Sequence, residues 1–226
     1  FIENDEIKKF NVILANPPYS IKSWDSKSFE NDPYGRNVWG TPPQGCADYA
    51  FQQHMQKSLD KNNGRSVVLW PYGVLFRDSE RQMRQKMLKQ DLVECVIALG
   101  KNLFYNSIME SCLLITNNNK PSERKGKVLF IDARKELQRE KTISYLLPEH
   151  INKIHKAYSD FKTKESFTYV AEDIEILEKE SSLNIPLYVK NINGEVISSL
   201  SEAYKEWDKS STKLKDSIEQ LLEVIK

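Results

Sequence analysis

Cysteine, histidine and glycine are all scarce in this chain: three, three and eight among 226 residues. Cys46, Cys95 and Cys112 lie far apart with no C-x-x-C spacing, which excludes a disulfide framework and fits a reducing compartment. Cys95 and Cys112 sit inside apolar runs and read as ordinary core residues. His150 and His155 form the one close histidine pair, and a separation of five places them on different helix faces, so no metal site is expected. No run approaches the ~18 apolar residues needed to span a bilayer, so no membrane contact is expected. The amino-terminal residues offer neither a basic stretch nor an apolar stretch of the signal-peptide kind. Charge of one sign is lacking too. The net charge is +1, so any nucleic acid must be held by local patches or with a partner's help.

What remains is the composition of a folded domain, 39% hydrophobic and 29% charged. The first two-thirds alternates short apolar runs with amphipathic segments. The runs are Phe10–Ala15, Ser66–Trp70, Leu92–Leu99, Cys112–Thr116 and Val128–Asp132, and such uninterrupted runs suit strands covered on both faces. Between them, Phe51, Met55 and Leu59 recur at helical spacing from Asp48 onward. Ser79 with Gln82 has the form of a capping box before Met83, Met87 and Leu88. Alternation of this kind predicts an α/β domain. Beyond Arg134, Pro148 opens a helix with Ile151, Ile154, Tyr158 and Phe161 on one face. The tail places Leu200, Tyr204, Trp207, Ser211, Leu214, Ile218, Leu221 and Ile225 on a heptad seam, read as a subunit contact, with intramolecular packing as the alternative. The expected division is 1–135, 136–198 and 199–226.

Two segments carry candidate chemistry. The first is Asn16-Pro17-Pro18-Tyr19, directly after an apolar strand. An amino nitrogen whose lone pair is delocalised into a ring or amide is a poor nucleophile. Two acceptors aimed at its hydrogens draw it towards tetrahedral geometry. The Asn16 side-chain oxygen is one acceptor, and the Pro17 carbonyl, stiffened by consecutive prolines, is the other. Tyr19 offers a face for an extruded base. The carboxyl end of a strand is where open α/β sheets hold ligands. The competing reading is a plain strand-ending turn, since Asn-Pro and Pro-Pro are common turn dipeptides.

The second segment, 20–45, is long and polar, yet carries Trp24, Phe29, Tyr34 and Trp39 interleaved with Lys22, Lys27 and Arg36. It reads either as a strand-tracking nucleic-acid surface or as a lid whose aromatics pack locally. Asp48 is read as a helix-capping acid in a first turn, with lining of the pocket near the substrate as the alternative, and His54 as a packed or exposed histidine. The eight basic and four acidic residues of 120–141 form a solvated surface or a modest phosphate strip.

From about Phe10 to Val189 the sequence resembles, in ordered blocks, the modification subunit of type I restriction–modification systems, a γ-type DNA adenine-N6 methyltransferase family. Phe10–Tyr19 looks like its catalytic strand and motif, Ala47–His54 its next helix, and Arg65–Pro71 with Gly73–Arg77 its next strand and loop. Asn102–Tyr105 before Cys112–Ile115 is similar to its late motif, in which Phe104 matches the residue flanking the flipped base; a core role is the alternative. Gly126–Asp132 and Leu183–Pro186 match structural blocks.

The resemblance implies the C-terminal half of a class I, Rossmann-like sheet. It implies DNA as substrate, S-adenosyl-L-methionine as cofactor, a specificity subunit, a restriction subunit and a second modification subunit as partners, and a bacterial or archaeal cytoplasm. The base-binding residues would be Tyr19 and Phe104. The family's cofactor turn precedes the catalytic strand, where this chain has nine residues. Gly35, Gly40 and Gly45 follow that strand instead. The expectation is therefore a truncated chain that binds cofactor weakly or not at all, with strand 10–15 as an unprotected edge prone to pairing with another copy. Two other readings stand: a glutamine methyltransferase of the release-factor type, which uses the same tetrapeptide, and a non-catalytic assembly fragment.

Overall fold

The computed structural model describes residues 2–104, 109–141 and 143–190, with scattered helical positions between 204 and 217. The chain separates into two units, 1–191 and 192–226. In the first, a short hairpin of β1 (Ile2–Glu3) and β2 (Glu6–Ile7) precedes β3 (Val12–Ala15), α1 (Ser26–Glu30) and α2 (Asp48–Ser58). There follow β4 (Arg65–Pro71), α3 (Arg81–Lys89), β5 (Val93–Leu99), β6 (Ser111–Asn117) and β7 (Lys127–Ala133). A second hairpin, β8 (Gln138–Glu140) and β9 (Ile143–Tyr145), leads to α4 (Pro148–Asp160), β10 (Thr168–Glu172) and α5 (Asp173–Glu178).

Six strands form one mixed sheet in the order β10-β7-β5-β6-β4-β3. β3 runs parallel to β4, and β5 to β7, whereas β6 is antiparallel to both β4 and β5, and β10 is antiparallel to β7. All five apolar runs of the sequence are strands of this sheet. The sixth strand, β10 at the other edge, has no such run, since Thr168–Glu172 mixes polar with apolar residues. It comes from beyond residue 135, so the extension helps to build the sheet as well as packing on it.

The two-residue period of the strands divides the core. Val68, Trp70, Val96, Ala98, Cys112, Leu114, Val128 and Phe130 face α2, α3 and α5, where Tyr49, Met55, Met83, Met87, Leu88 and Ile176 are buried. Leu69, Cys95, Ile97, Leu99, Ile115, Leu129 and Ile131 face Ile154 and Ala157 of α4. Cys95 and Cys112 are core residues, both fully buried. The stretch after α5 returns to the first face, where Tyr188 stacks on Phe130 with centroids 4.0 Å apart. At β3 the second face is bare: Val12 is 56% and Leu14 76% exposed, and no strand pairs with the outer side of β3 among the described residues. The unprotected edge is thus present.

Some local expectations fail. The Ser79–Gln82 capping box does not form: a single turn over Asp78–Glu80 leads into α3, whose N-cap is Glu80 with no side-chain cap bond. Glu80 turns inward instead and is fully buried. Of the eight basic residues of 120–141, three are paired within the fold: Lys120 with Asp91, Arg124 with Glu94 and Arg134 with Asp132. The heptad positions Leu200, Leu214, Ile218, Leu221 and Ile225 lie outside the described residues. Tyr204 and Trp207 are exposed, with ring centroids 5.9 Å apart.

Gly100 ends β5 where the chain crosses closely over the 134–137 turn. A Cβ there would stand 2.2 Å from Leu137 Cδ2 and 2.6 Å from the Arg134 carbonyl oxygen. Gly100→Ala is expected to lower unfolding stability by about 1–3 kcal/mol, because a backbone atom cannot yield as a side chain can. Urea denaturation with an unchanged midpoint would contradict this close approach.

Candidate functional site

β3 pairs with β4 as far as Ala15 opposite Val68, while β4 continues to Pro71. The prolines at 17 and 18 have no N–H with which to extend the ladder, so the chain leaves the sheet and a hollow opens beside the end of β4. This hollow, of about 530 Å³, is lined by Asn16, Pro17, Pro18, Tyr19, Pro71, Phe104, Met109, Glu110 and Ser111. The structure therefore brings all five residues singled out in the sequence, Asn16 to Tyr19 and Phe104, to one pocket. Ser111 adds a buried hydroxyl without a hydrogen-bond partner.

Within the tetrapeptide, the Tyr19 hydroxyl donates to Asn16 Oδ1 at 2.6 Å. The Tyr19 ring lies 6.5 Å from that of Trp70, tilted by 49°. Trp70 is itself fixed from α2, its indole N–H donating to Gln52 Oε1 at 2.9 Å. Burial pushes the Tyr19 hydroxyl above its ordinary pKa, with the Cys112 thiol and the Asp48 carboxyl adding to the shift. It therefore remains a donor at neutral pH.

Behind the tetrapeptide lies a buried polar cluster that the sequence reading missed. Asp48, 1% exposed, accepts from the Ser20 amide at 2.6 Å and from the Ser20 hydroxyl at 3.4 Å. Arg77 Nη2 donates to the other Asp48 oxygen at 2.6 Å, and Arg77 Nε lies 3.3 Å from Glu80. The Cys46 thiol reaches both carboxylates, at 3.4 Å from Asp48 and 3.3 Å from Glu80, and also contacts Arg77. Asp48 does stand in the first turn of α2, as the capping reading has it, but its carboxylate makes no cap bond. The N-cap of α2 is Ala47 with no side-chain cap bond, and the Asp48 carboxylate points to the Ser20 loop and Arg77.

Cys46, Asp48 and Glu80 offer ligand atoms within 4.8 Å of one another, but the positive charge among them is the Arg77 guanidinium. Burial raises the Asp48 carboxyl, opposed by the two bonds from Ser20. Glu80 is raised to about 7, first by burial, with Arg77 opposing and Asp48 reinforcing. One signal was available in the sequence: Asp48, Arg77 and Glu80 are charged residues next to apolar stretches. Nothing in their spacing says that they meet.

The aromatics of 20–45 resolve towards local packing. Trp39 is buried, its N–H donating to Gln90, and Phe29 is buried with Trp24 edge-on at 5.8 Å. Arg36 lies over the Phe29 and Tyr34 rings and pairs with Asp32. His54 is half-buried on α2, and burial lowers its pKa.

The two glycines that follow strand ends do not make a cradle for a nucleotide-like cofactor. Gly73 and Gly100 follow strand ends, yet a Cβ on either would meet the chain itself, Arg77 in one case and Leu137 with Arg134 in the other. Neither glycine opens onto a cradle, and no step below is routed through such a group. Among the described residues no helix is long and apolar enough to cross a membrane.

A profile of the N-6 DNA methylase family matches residues 2–195. The "Type I restriction enzyme MjaVIII methylase subunit" of Methanocaldococcus jannaschii is 34% identical over 207 residues, covering 89% of this chain and 35% of that protein. The HindI methylase subunit of Haemophilus influenzae is 41% identical over 129 residues, 56% of this chain and 28% of that protein. The crystal structure of a type I restriction-modification methyltransferase subunit from Streptococcus thermophilus superposes with a TM-score of 0.76 at 34% identity, covering 83% of this chain and 40% of that one. The EcoKI M protein shares the fold at a TM-score of 0.58 and 17% identity. The chain spans little more than a third of the curated relatives it first matches, 35% and 37%.

Glu80 generates a prediction in pH. Its folded pKa, about 7, lies above the 4.5 of the ordinary group. The folded state therefore keeps a proton that the unfolded chain has lost. Its contribution to stability is full below about 4.5 and is lost as pH rises through 7, by roughly 3 kcal/mol at most. Urea melts of this chain at pH 5 and pH 8 are expected to show that fall, and Glu80→Gln to flatten it. An equal slope in both proteins would rule out Glu80 as its source.

Proposed function

The chain belongs to the N-6 DNA methylase family, and we propose that it is the target-holding portion of a type I modification subunit that methylates N6 of an extruded adenine in duplex DNA. The observation that carries this reading is the single pocket shared by Asn16, Pro17, Pro18, Tyr19 and Phe104. Asn16 Oδ1 and the Pro17 carbonyl accept the two amino hydrogens, turning the nitrogen lone pair towards an approaching methyl group. Tyr19 and Phe104 hold the ring between aromatic faces. Before the base enters, Asn16 Oδ1 is held by the Tyr19 hydroxyl. The incoming amino group takes over that bond. No strong general base is needed, since the proton turns acidic only after methylation.

S-adenosyl-L-methionine would supply the methyl group, bound by parts of the full-length protein other than the residues described. The near-neutral charge fits an enzyme whose specificity subunit reads DNA and supplies many phosphate contacts. The restriction subunit and a second modification subunit complete the proposed assembly, with 199–226 as a contact segment. In a cytoplasmic complex of this kind the bare β3 edge would be covered. In the isolated chain it pairs with a second copy. Leu14→Lys is expected to shift this chain from dimer to monomer in sedimentation velocity; a wild-type chain that stays monomeric throughout would refute the pairing.

The full-length subunit with its specificity partner, given labelled S-adenosyl-L-methionine, is expected to methylate duplex DNA. Transfer to a release-factor glutamine peptide in its place would assign the tetrapeptide to the other nitrogen. Asn16→Ala should lower kcat by ~10²–10³-fold, the scale of losing one acceptor or donor aimed at the reacting centre. Phe104→Ala should weaken target binding by about 1–3 kcal/mol, the worth of one base–aromatic stack. Tyr19→Phe keeps the ring and should lower kcat by no more than about tenfold, the cost of one hydrogen bond that steadies Asn16 Oδ1 before the base enters. Full activity in Asn16→Ala would exclude the proposed acceptor.

A further inference from the structure

We propose that Asp48 is the positioning residue of the acceptor site: through Ser20 its carboxylate fixes the direction in which Asn16 Oδ1 and the Pro17 carbonyl point. This rests on the reading of the pocket above and adds to it a residue that never touches the base.

The tetrapeptide cannot anchor itself. Pro17 and Pro18 have no N–H, and beyond Ala15 the ladder to β4 has ended. Ser20 carries the first amide after the two prolines that is tied to another element among the described residues, and its acceptor is Asp48 Oδ1 at 2.6 Å. Ser20 also sits at a φ of 48°, in the left-handed region, a conformation that costs an ordinary residue energy and persists only where its surroundings hold it. The Ser20 hydroxyl adds a second contact to Asp48 Oδ2. The loop is thus clamped one residue after the aromatic that ends the tetrapeptide.

The clamp stands on a rigid base. Asp48 opens α2, whose Tyr49, Gln52 and Met55 are buried in the first core face. Its carboxylate is not spent on the helix, because the N-cap is Ala47 and no side-chain cap bond is made. Arg77, from the turn after β4, donates to Asp48 Oδ2 and faces Glu80, so the charge on Asp48 is balanced within the fold. Three segments meet at one carboxylate: the loop after β3, the start of α2 and the chain after β4. A purely structural ion pair would need only Asp48 and Arg77. The two contacts to Ser20 tie that pair to the acceptor loop.

The test uses the full-length modification subunit in its complex, with duplex DNA and S-adenosyl-L-methionine. Asp48→Ala should lower kcat by roughly 100-fold, the cost of a misplaced reacting group, with KM for both substrates within about threefold. Asp48→Asn keeps an oxygen for the Ser20 amide while losing the anionic acceptor for Arg77. It should rescue most of the loss, leaving a deficit of roughly tenfold. It also keeps the shape of the side chain, so it carries the measurement if Asp48→Ala does not fold.

Hydrogen exchange supplies a readout independent of catalysis. The Ser20 amide should exchange faster in Asp48→Ala while the amides of β4 stay protected. An unchanged kcat, a loss confined to KM, or unchanged protection at Ser20 overturns the proposal. If the wild-type complex methylates no DNA, the functional reading falls, and exchange at Ser20 alone decides whether Asp48 anchors the loop.

Discussion

Two consecutive prolines end β3 at Ala15, while its neighbour β4 runs three residues further to Pro71. A backbone without N–H groups cannot continue a ladder, and the mismatch in strand length leaves space beside Trp70 and Pro71. Everything distinctive about the site follows from that space. The tetrapeptide bends across it, the antiparallel β6 begins at its floor with Ser111, and Phe104 reaches it from the chain between β5 and β6. Had the strand continued in register, Asn16 would face a sheet neighbour instead of a pocket. The same prolines that open the hollow also make the Pro17 carbonyl stiff. Shape and aim have one cause.

Stiffness alone does not set direction, and here the buried charges matter. Carboxylates at 48 and 80 are withdrawn from water, which is costly unless they are paired or keep their protons. The fold uses both solutions side by side. Asp48 receives two short contacts, from the Ser20 amide and from Arg77, and a longer one from the Ser20 hydroxyl. Glu80 faces the same guanidinium less well aligned and is raised to about 7. Arg84, buried nearby, donates to the carbonyls of Val74, Arg77 and Ser181 and so locks the turn that carries Arg77. The polar layer under the pocket is therefore continuous from Ser20 to the chain beyond α5.

The sheet was legible in the sequence because its central strands are buried on both faces and read as unbroken apolar runs. β10 was not, because Thr168–Glu172 mixes polar with apolar residues and gives no unbroken apolar run. The five residues of the pocket were legible too, though by different routes. Asn16 to Tyr19 announce themselves by chemistry, and Phe104 through resemblance to a family motif. Asp48, Arg77 and Glu80 were not, since the cluster depends on tertiary placement of segments some thirty residues apart. The failed capping box has the same origin: Ser79 had the local pattern, but burying Glu80 against Arg77 places a different residue at the N-cap. Local rules lost to a longer-range pairing.

Tyr19 shows how these levels meet. Its hydroxyl donates to Asn16 Oδ1, the atom proposed to receive the amino group of the target. Without that bond an exposed side-chain oxygen would be left to solvent and Asn16 free to rotate. With it, Asn16 is held in one orientation, and in the proposed mechanism the exchange on binding is donor for donor at the same oxygen. Such an exchange costs little, because one hydrogen bond replaces another of similar kind. In the same proposal the Tyr19 ring leaves its tether and lies against the base. The loop must meanwhile stay in place, and among the described residues the hydrogen bond that this exchange leaves undisturbed is the one from Ser20 to Asp48. A site that trades one partner for another needs a neighbouring contact that does not change, and here that contact is buried.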